Sequence, residues 1–359
     1  MKLVLGLMSG TSLDGIDVAL IKTDGDKVGE LLGFQTYPYD EDFRENVQAS
    51  FGRKDNFGDL EEQVTQRHIQ AVERFLQGEG FARSDIDLIG FHGQTVFHDP
   101  AAGLTVQLGN GADMARAVGI DVVNDLRSAD VRAGGQGAPL VPVFHRALVQ
   151  QQDLKGPIAI LNLGGVGNVT WIGCDGELLA FDTGPGNALI DDWVKRHTGQ
   201  PYDEDGIIAA RGDIHDDCVN TFIRHPYFQR PAPKSLDRDE FKSFAFDLVD
   251  DLSVEDGAAT LAAFSVASVI KAQDEFPDWP NCWIVCGGGR LNKSLMSAFR
   301  AYLYADVRTA EQVGWNGDAI EAQAFAYLAA RSAEGLAITF PGTTGVAKPI
   351  SGGALHKAR

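Results

Sequence analysis

Cysteine is scarce in this chain: four residues in 359, at positions 174, 218, 282 and 286. Their spacing excludes a disulfide scaffold, and Cys282 and Cys286 have no second pair at ligand spacing. Reduced, buried thiols of a cytosolic protein are the expectation. No apolar run approaches the ~20 residues of a membrane span, and Leu3-Val-Leu-Gly-Leu7 is too short for a signal peptide. A cytoplasmic protein without a membrane partner follows. Basic residues are also few, with 31 Lys and Arg against 50 Asp and Glu and a formal charge of −19. That argues against a nucleic-acid partner, because a phosphate backbone selects a basic surface. A nucleotide is not excluded, since metal ions and backbone dipoles neutralise phosphate locally. Two familiar phosphate signatures are missing: no Gly-Lys-Ser/Thr follows a glycine loop, and no Gly-x-Gly-x-x-Gly opens a helix. His92 and His98 stand six apart with no cysteine or glutamate set nearby, so zinc is not expected.

What the chain has is length, an ordinary apolar share and glycine. With 44% hydrophobic and 23% charged residues it can bury a large core, and its length suggests two domains. Its 41 glycines cluster in turns. Leu5-Gly-Leu-Met-Ser-Gly10-Thr-Ser-Leu-Asp-Gly15-Ile-Asp17 and Leu161-Asn-Leu-Gly-Gly165-Val-Gly-Asn168 each follow a short apolar run and lead into another. Cys286-Gly-Gly-Gly289 follows a third run. Two such hairpins suggest two related lobes facing one cleft, and backbone N–H groups approach an anion closely only where side chains are absent.

Apolar periodicity predicts strands at 2–8, 16–22 and 30–37, a helix over 59–77, a strand at 86–90, a helix over 110–118 and a strand at 120–124. Ala133-Gly-Gly-Gln-Gly-Ala-Pro139 breaks the pattern. The domains expected are 1–135, with the first glycine turn, and 136–359, with the second and third. The final segment is expected to pack back on the first lobe. The second lobe restarts at Pro157 with strands at 158–163, 169–172 and 177–181, then a helix over 187–197. Residues 237–256 read as a solvated helix face and loop, and 255–273 as a buried helix. A strand at 281–285 and helices over 293–302 and 318–328 follow, with Asp318 as a cap. Residues 339–359 read as loop. Meanders followed by helix crossovers indicate α/β, with mixed sheets flanked by helices.

The first glycine turn has two readings. It is either a hairpin between core strands or a loop around the outer phosphates of a nucleotide, with the Thr11 and Ser12 hydroxyls donating and Asp14 or Asp17 orienting magnesium. Alternation puts Asp17 on the face opposite Ile16 and Val18. Phe181-Asp182-Thr-Gly-Pro-Gly-Asn187 is the strongest catalytic signal. A strand delivers Asp182 to its carboxyl end, where ligand crevices of α/β sheets lie. There it can act as general base, as a magnesium or hydroxyl ligand, or simply as a helix cap. His92, Gln94, Asn124, Asp125, Arg127, Asp130, Arg132 and Gln136 gather just beyond strand ends and suit a small polar ligand. For each of them a structural hydrogen bond is an equal alternative. Arg127 can receive a carboxylate in bidentate fashion.

The chain resembles the anhydro-N-acetylmuramic acid kinases, a branch of the sugar kinase, Hsp70 and actin superfamily. The likeness runs over essentially the whole length. It rests on Gly6–Asp17, Gly90-Phe-His-Gly-Gln-Thr95, Asn124-Asp-Leu-Arg-Ser-Ala-Asp130, Gly134–Pro142, Asn162–Asn168, Phe181–Asn187 and Cys286-Gly-Gly-Gly-Arg290. The resemblance implies a two-lobed actin-like ATPase fold with a duplicated ribonuclease H-like core, closing jaw-like on ATP and sugar. It implies a homodimer in the cytoplasm of a bacterium that recycles murein. It implies a double reaction, in which the 1,6-anhydro bond of the muramic acid sugar is hydrolysed and O6 is phosphorylated. Asp182 would be the catalytic base. The ATP site would comprise Gly10, Thr11, Ser12, Leu13, Asp14, Gly15, Ile16 and Asp17, with Gly165, Asn168, Gly287, Gly288 and Gly289. Magnesium would sit at Asp14 and Asp17, directly or through water. The sugar would meet His92, Gln94, Asp125, Arg127, Asp130 and Gln136. The rivals are an ordinary sugar or hydroxy-acid kinase and a non-enzymatic nucleotide switch.

Overall fold

The computed structural model describes residues 1–152, 154–237 and 239–358. Its strands are β1 (Lys2–Ser9), β2 (Gly15–Thr23), β3 (Val28–Pro38), β4 (Leu88–Asp99), β5 (Leu104–Leu108), β6 (Val122–Asn124), β7 (Ile158–Leu163), β8 (Val166–Ile172), β9 (Leu178–Pro185), β10 (Cys282–Cys286), β11 (Asp306–Thr309) and β12 (Ala354–His356). The architecture is mixed α/β.

The chain divides into two compact units, Met1–Asp153 with Ala319–Arg359, and Leu154–Asp318. The break lies later than residue 135. The helix Pro142–Gln151 stays with the first unit because its Phe144 ring meets Tyr327 at a centroid distance of 5.5 Å. The end of the chain returns to the same unit, where β12 pairs antiparallel with β6, Ala354 opposite Asn124.

In the first unit the sheet runs β12-β6-β4-β1-β2-β3, with β5 paired to β4. β1, β2 and β3 form an antiparallel meander, and β4 and β6 add in parallel. Strand side chains alternate between faces. Leu5 and Leu7 turn one way and share a core with Val64, Val72 and Phe75 of the helix Leu60–Glu79. Gly6 turns the other way, under the helix Ile320–Ala333. A Cβ on Gly6 would lie 1.8 Å from the Ala322 carbonyl oxygen, and one on Gly90 2.1 Å from that of Phe325. That helix therefore lies directly on sheet backbone.

In the second unit the order is β11-β10-β7-β8-β9, again a meander (β7, β8, β9) followed by two parallel strands. The helix Val254–Ala272 is buried along most of its length, as its small apolar residues suggest. Its Phe264 stacks on Phe222 at 4.2 Å and 4°. Phe241, Ala245 and Val249 join this core, while the acidic residues Asp247, Asp250 and Asp251 remain exposed. Asp318 does not cap the following helix. Its N-cap is Ala319, and the Asp318 carboxylate takes two N–H bonds from Arg290 at 2.9 Å instead. The expected loop 339–359 contains a helical turn, Pro341–Thr344, and β12. None of the four cysteines forms a disulfide, but only Cys282 and Cys286 are buried; Cys174 is exposed, against expectation, because it lies in the turn after β8.

Candidate active site

The first glycine turn links β1 to β2. Leu13 N–H donates to the Gly10 carbonyl at 3.3 Å, and Leu13 takes a left-handed φ of 59°. A non-glycine residue held there stores strain, a state that clusters at ligand sites. Leu13 and Ile16 put their side chains into the core, so toward a ligand they and Gly15 offer main chain only. Thr11, Ser12 and Asp14 are exposed. Gly10 is open: a Cβ there would meet nothing closer than the Ser12 hydroxyl at 3.6 Å. Gly15 is different, since a Cβ on it would lie 2.3 Å from the Tyr37 carbonyl oxygen. Three bonds hold the loop from outside. Ser9 Oγ donates to the Gly93 carbonyl at 3.0 Å, Gln94 Nε2 to that of Gly10 at 3.1 Å, and Tyr39 N–H to that of Asp14 at 3.2 Å. Asp17 is half-buried between buried Ile16 and Val18, on the opposite face, and accepts from Thr36 Oγ1 at 2.5 Å.

No group of three His, Cys, Asp or Glu side chains placed to cage a metal occurs among the described residues. Magnesium needs no such cage, because it binds through one or two carboxylates, water and substrate phosphates. An exposed Asp14 and a half-buried Asp17 beside an open glycine fit that pattern.

The polar residues beyond β4 and β6 converge within the same unit. A cavity of about 180 Å³ is lined by His92, Thr105, Gln107, Asn124, Asp125 and Ser128, among others. Asp125 has a left-handed φ of 51°. Arg127 donates from Nε and Nη2 to His92 Nε2, at 3.2 and 2.9 Å, and from Nη1 to the Gly137 carbonyl at 2.7 Å. Burial lowers the Arg127 pKa to about 10, against the opposing charges of Glu321 and Asp130. Burial first, and then the Arg127 charge, hold His92 well below the ordinary histidine range. Three other residues are tied up in the scaffold. Gln94 bonds to the turn between β1 and β2, and Asp130 is buried and accepts from Gly137 N–H and Thr344 Oγ1, both at 2.6 Å. The Gln136 main chain joins Thr344 and His98.

In the second unit β9 is an edge strand that runs on to Pro185 rather than ending at 181, so Asp182 lies inside its carboxyl half, opposite Asn168 of β8. The segment from Tyr227 to Leu236 covers that edge. Asp182 N–H donates to the Lys234 carbonyl at 2.9 Å, Tyr227 Oη donates to the Asp182 carbonyl at 2.5 Å, and Leu236 N–H donates to Asp182 Oδ2 at 2.8 Å. Burial pushes the Asp182 pKa up to about 7, with the Leu236 bond opposing the rise. A carboxyl group in that range is suited to proton transfer near neutral pH.

The second and third glycine turns meet beside the helix Ala188–Thr198. Gly186 N–H donates to the Gly165 carbonyl at 3.0 Å, and Asn187 N–H to that of Gly164 at 2.8 Å. Gly165 is exposed and Asn168 half-buried. A Cβ on Gly287 would lie 2.3 Å from Asn162 Oδ1, and one on Gly289 2.6 Å from Leu163 Cβ, so close packing explains these two. Gly288 has only Asn187 Nδ2 near, at 3.8 Å, and stays accessible. Arg290 braces this turn, donating to the Gly287 carbonyl at 3.0 Å while pairing with Glu311 and Asp318.

Sequence reasoning missed Glu321, Tyr227 and Leu236. Glu321 stands exposed in the first turn of the helix Ile320–Ala333, where its charge bears on Arg127 and Asp17. Its signal was an acidic residue in an otherwise apolar stretch. The Leu236 contribution is main chain, which no residue type announces.

The profile of the family described as anhydro-N-acetylmuramic acid kinase matches residues 2–358. The anhydro-N-acetylmuramic acid kinase of Paramagnetospirillum magneticum is 53% identical over 354 residues, covering 99% of this chain and 99% of that one. The protein of that description from Methylobacterium nodulans is 51% identical over 370 residues, covering 97% and 98%. The one from Rhodospirillum rubrum is 51% identical over 360 residues, covering 99% and 94%.

Proposed function

Because the chain belongs to the anhydro-N-acetylmuramic acid kinase family, we propose that Asp182 aims a water at C1 of the bicyclic sugar as the base of its reaction. The enzyme phosphorylates 1,6-anhydro-N-acetylmuramic acid with ATP, in murein recycling. The water oxygen bonds to C1 as its proton passes to Asp182. The C1–O6 bond breaks, and O6 bonds to the γ-phosphorus as the bond to ADP breaks. The proton then leaves Asp182 for solvent. One carboxylate suffices as base, because the phosphoryl group takes up the charge that develops on O6; ordinary glycosidases need a second carboxyl to do this.

The observation that carries this reading is the state of Asp182. It is half-buried at the sheet edge, one oxygen is held by the Leu236 N–H, and its pKa is pushed up to about 7. Such a group accepts a proton at neutral pH and releases it again.

The remaining assignments follow by unit. In the first, Gly10, Thr11 and Ser12 hold the γ-phosphate, with Leu13, Gly15 and Ile16 contributing main chain. Asp14 and Asp17 would hold magnesium, which when bound neutralises phosphate charge. His92, Asp125 and Arg127 meet the sugar. Arg127 takes the lactyl carboxylate, since a guanidinium paired with a neutral imidazole and a carbonyl keeps its charge for an anion. Gln94, Asp130 and Gln136 hold the loops behind them. In the second unit, Gly165, Asn168 and Gly287 to Gly289 lie along the nucleotide. The shared sheet order, a meander and then two parallel strands, supports a duplicated ribonuclease H-like core of actin type. From the family we infer a homodimer in the cytoplasm. Among the described residues no helix is long and apolar enough to cross a membrane.

Turnover in oxygen-18 water tests the reaction. The double reaction places the label on C1 of the product, whereas an ordinary kinase places none there.

A further inference from the structure

We propose that Tyr227 is a positioning residue for Asp182, holding its main chain so that Oδ1, the oxygen not bonded to Leu236, takes the proton from water. This rests on Asp182 being the base. Three bonds from one short segment converge on this aspartate: its N–H to the Lys234 carbonyl, its carbonyl to Tyr227 Oη and its Oδ2 to the Leu236 N–H. An exposed sheet edge needs covering, and the first two bonds would serve for that alone. The third would not. It reaches a side-chain oxygen that no sheet ladder uses, and it makes the two carboxyl oxygens unequal.

Tyr227 is suited to hold rather than to react. It is fully buried, and its ring meets Phe228 and Phe241 edge-on at 5.6 and 5.5 Å. Burial, then the Asp182 charge, pushes its pKa up, so the hydroxyl stays a donor. The charged groups around it are engaged elsewhere. The Lys234 ammonium lies 5.2 Å from the ring centroid and pairs with Glu275 at 3.8 Å, and Arg230 pairs with Glu240 at 3.4 Å. With the ring wedged among phenylalanines, the hydroxyl fixes the Asp182 carbonyl, and the carboxylate cannot swing away from the Leu236 donor.

Tyr227→Phe keeps the ring and removes only the donor. The measurements are kcat and both KM values, the pH profile of kcat from 5 to 9, and the thermal midpoint, with Asp182→Asn alongside. We expect kcat to fall roughly ten- to a hundredfold, the scale of a misplaced catalytic group. Both KM values should stay within about twofold, and the acid limb should move to lower pH as the loosened carboxylate reaches water. Leu236→Pro, which lacks the N–H, should move that limb the other way. An unchanged kcat and limb in Tyr227→Phe overturns the proposal, and so does a loss in which both KM values and the midpoint worsen while the limb stays. If Tyr227→Phe does not fold, a limb unmoved in Leu236→Pro overturns it. Normal turnover in Asp182→Asn would instead remove the base reading itself, whatever Tyr227→Phe does.

Discussion

His92 Nε2 accepts two N–H bonds from Arg127, at 3.2 and 2.9 Å. An imidazole nitrogen that accepts carries no proton, so His92 is neutral with its hydrogen on Nδ1. The pair gives Arg127 orientation without cancelling its charge. Replacing Arg127 with Ala should raise the sugar KM about 10- to 100-fold, the worth of a charge-assisted bond, and leave the ATP KM near normal. Steady-state kinetics with each substrate varied separately checks this. A rise in the ATP KM alone would place Arg127 with the nucleotide.

Asp182→Asn should lower kcat roughly 10²–10⁴-fold, the usual contribution of a general base, with ATP affinity retained. Calorimetric titration with a nonhydrolysable nucleotide and single-turnover product formation measure the two halves. Near-normal turnover would end the assignment.

The raised Asp182 pKa also predicts a pH dependence. The base works only when deprotonated, so kcat should fall as pH drops through about 7. Stability runs the opposite way. The folded carboxyl holds its proton up to about 7, whereas an unfolded aspartate loses it near 4. Between those values the folded state binds more protons, so this group's contribution to stability falls as pH rises. Asp182→Asn should therefore melt higher than the parent at pH 8, by on the order of 1–3 °C, and equally near pH 4. Equal midpoints at pH 8 would show that the carboxylate is not destabilised by burial.

Gly10→Ala separates the phosphate loop from a plain hairpin. A Cβ at Gly10 finds space, so the thermal midpoint should hold, while the ATP KM should rise about tenfold or more as the methyl blocks backbone approach to phosphate. Gly15→Ala should instead destabilise the chain, because its Cβ would lie 2.3 Å from the Tyr37 carbonyl oxygen. Unchanged kinetics in Gly10→Ala would favour the hairpin.

Sequence by itself determined the α/β class, both meanders and most helices, because apolar spacing and glycine turns act over a few residues. The helix at 293–302 and the strand at 158–163 came out with the bounds predicted. It also carried the family, through stretches such as Phe181–Asn187 that spell out their own local geometry. Tertiary structure alone decided what depends on partners far along the chain. The return of the final segment is expected from the sequence, but the helix Ile320–Ala333 joins the first unit as well, because it lies on the backbone of β1 and β4 at Gly6 and Gly90. Asp318 answers to Arg290 rather than to the next helix. Asp182 owes its raised proton affinity to burial, held in check by a main-chain N–H at residue 236, and a main-chain donor is the same atom in every residue but proline. Local pattern fixes which way a side chain leaves the backbone; only the folded chain brings the groups that set its charge.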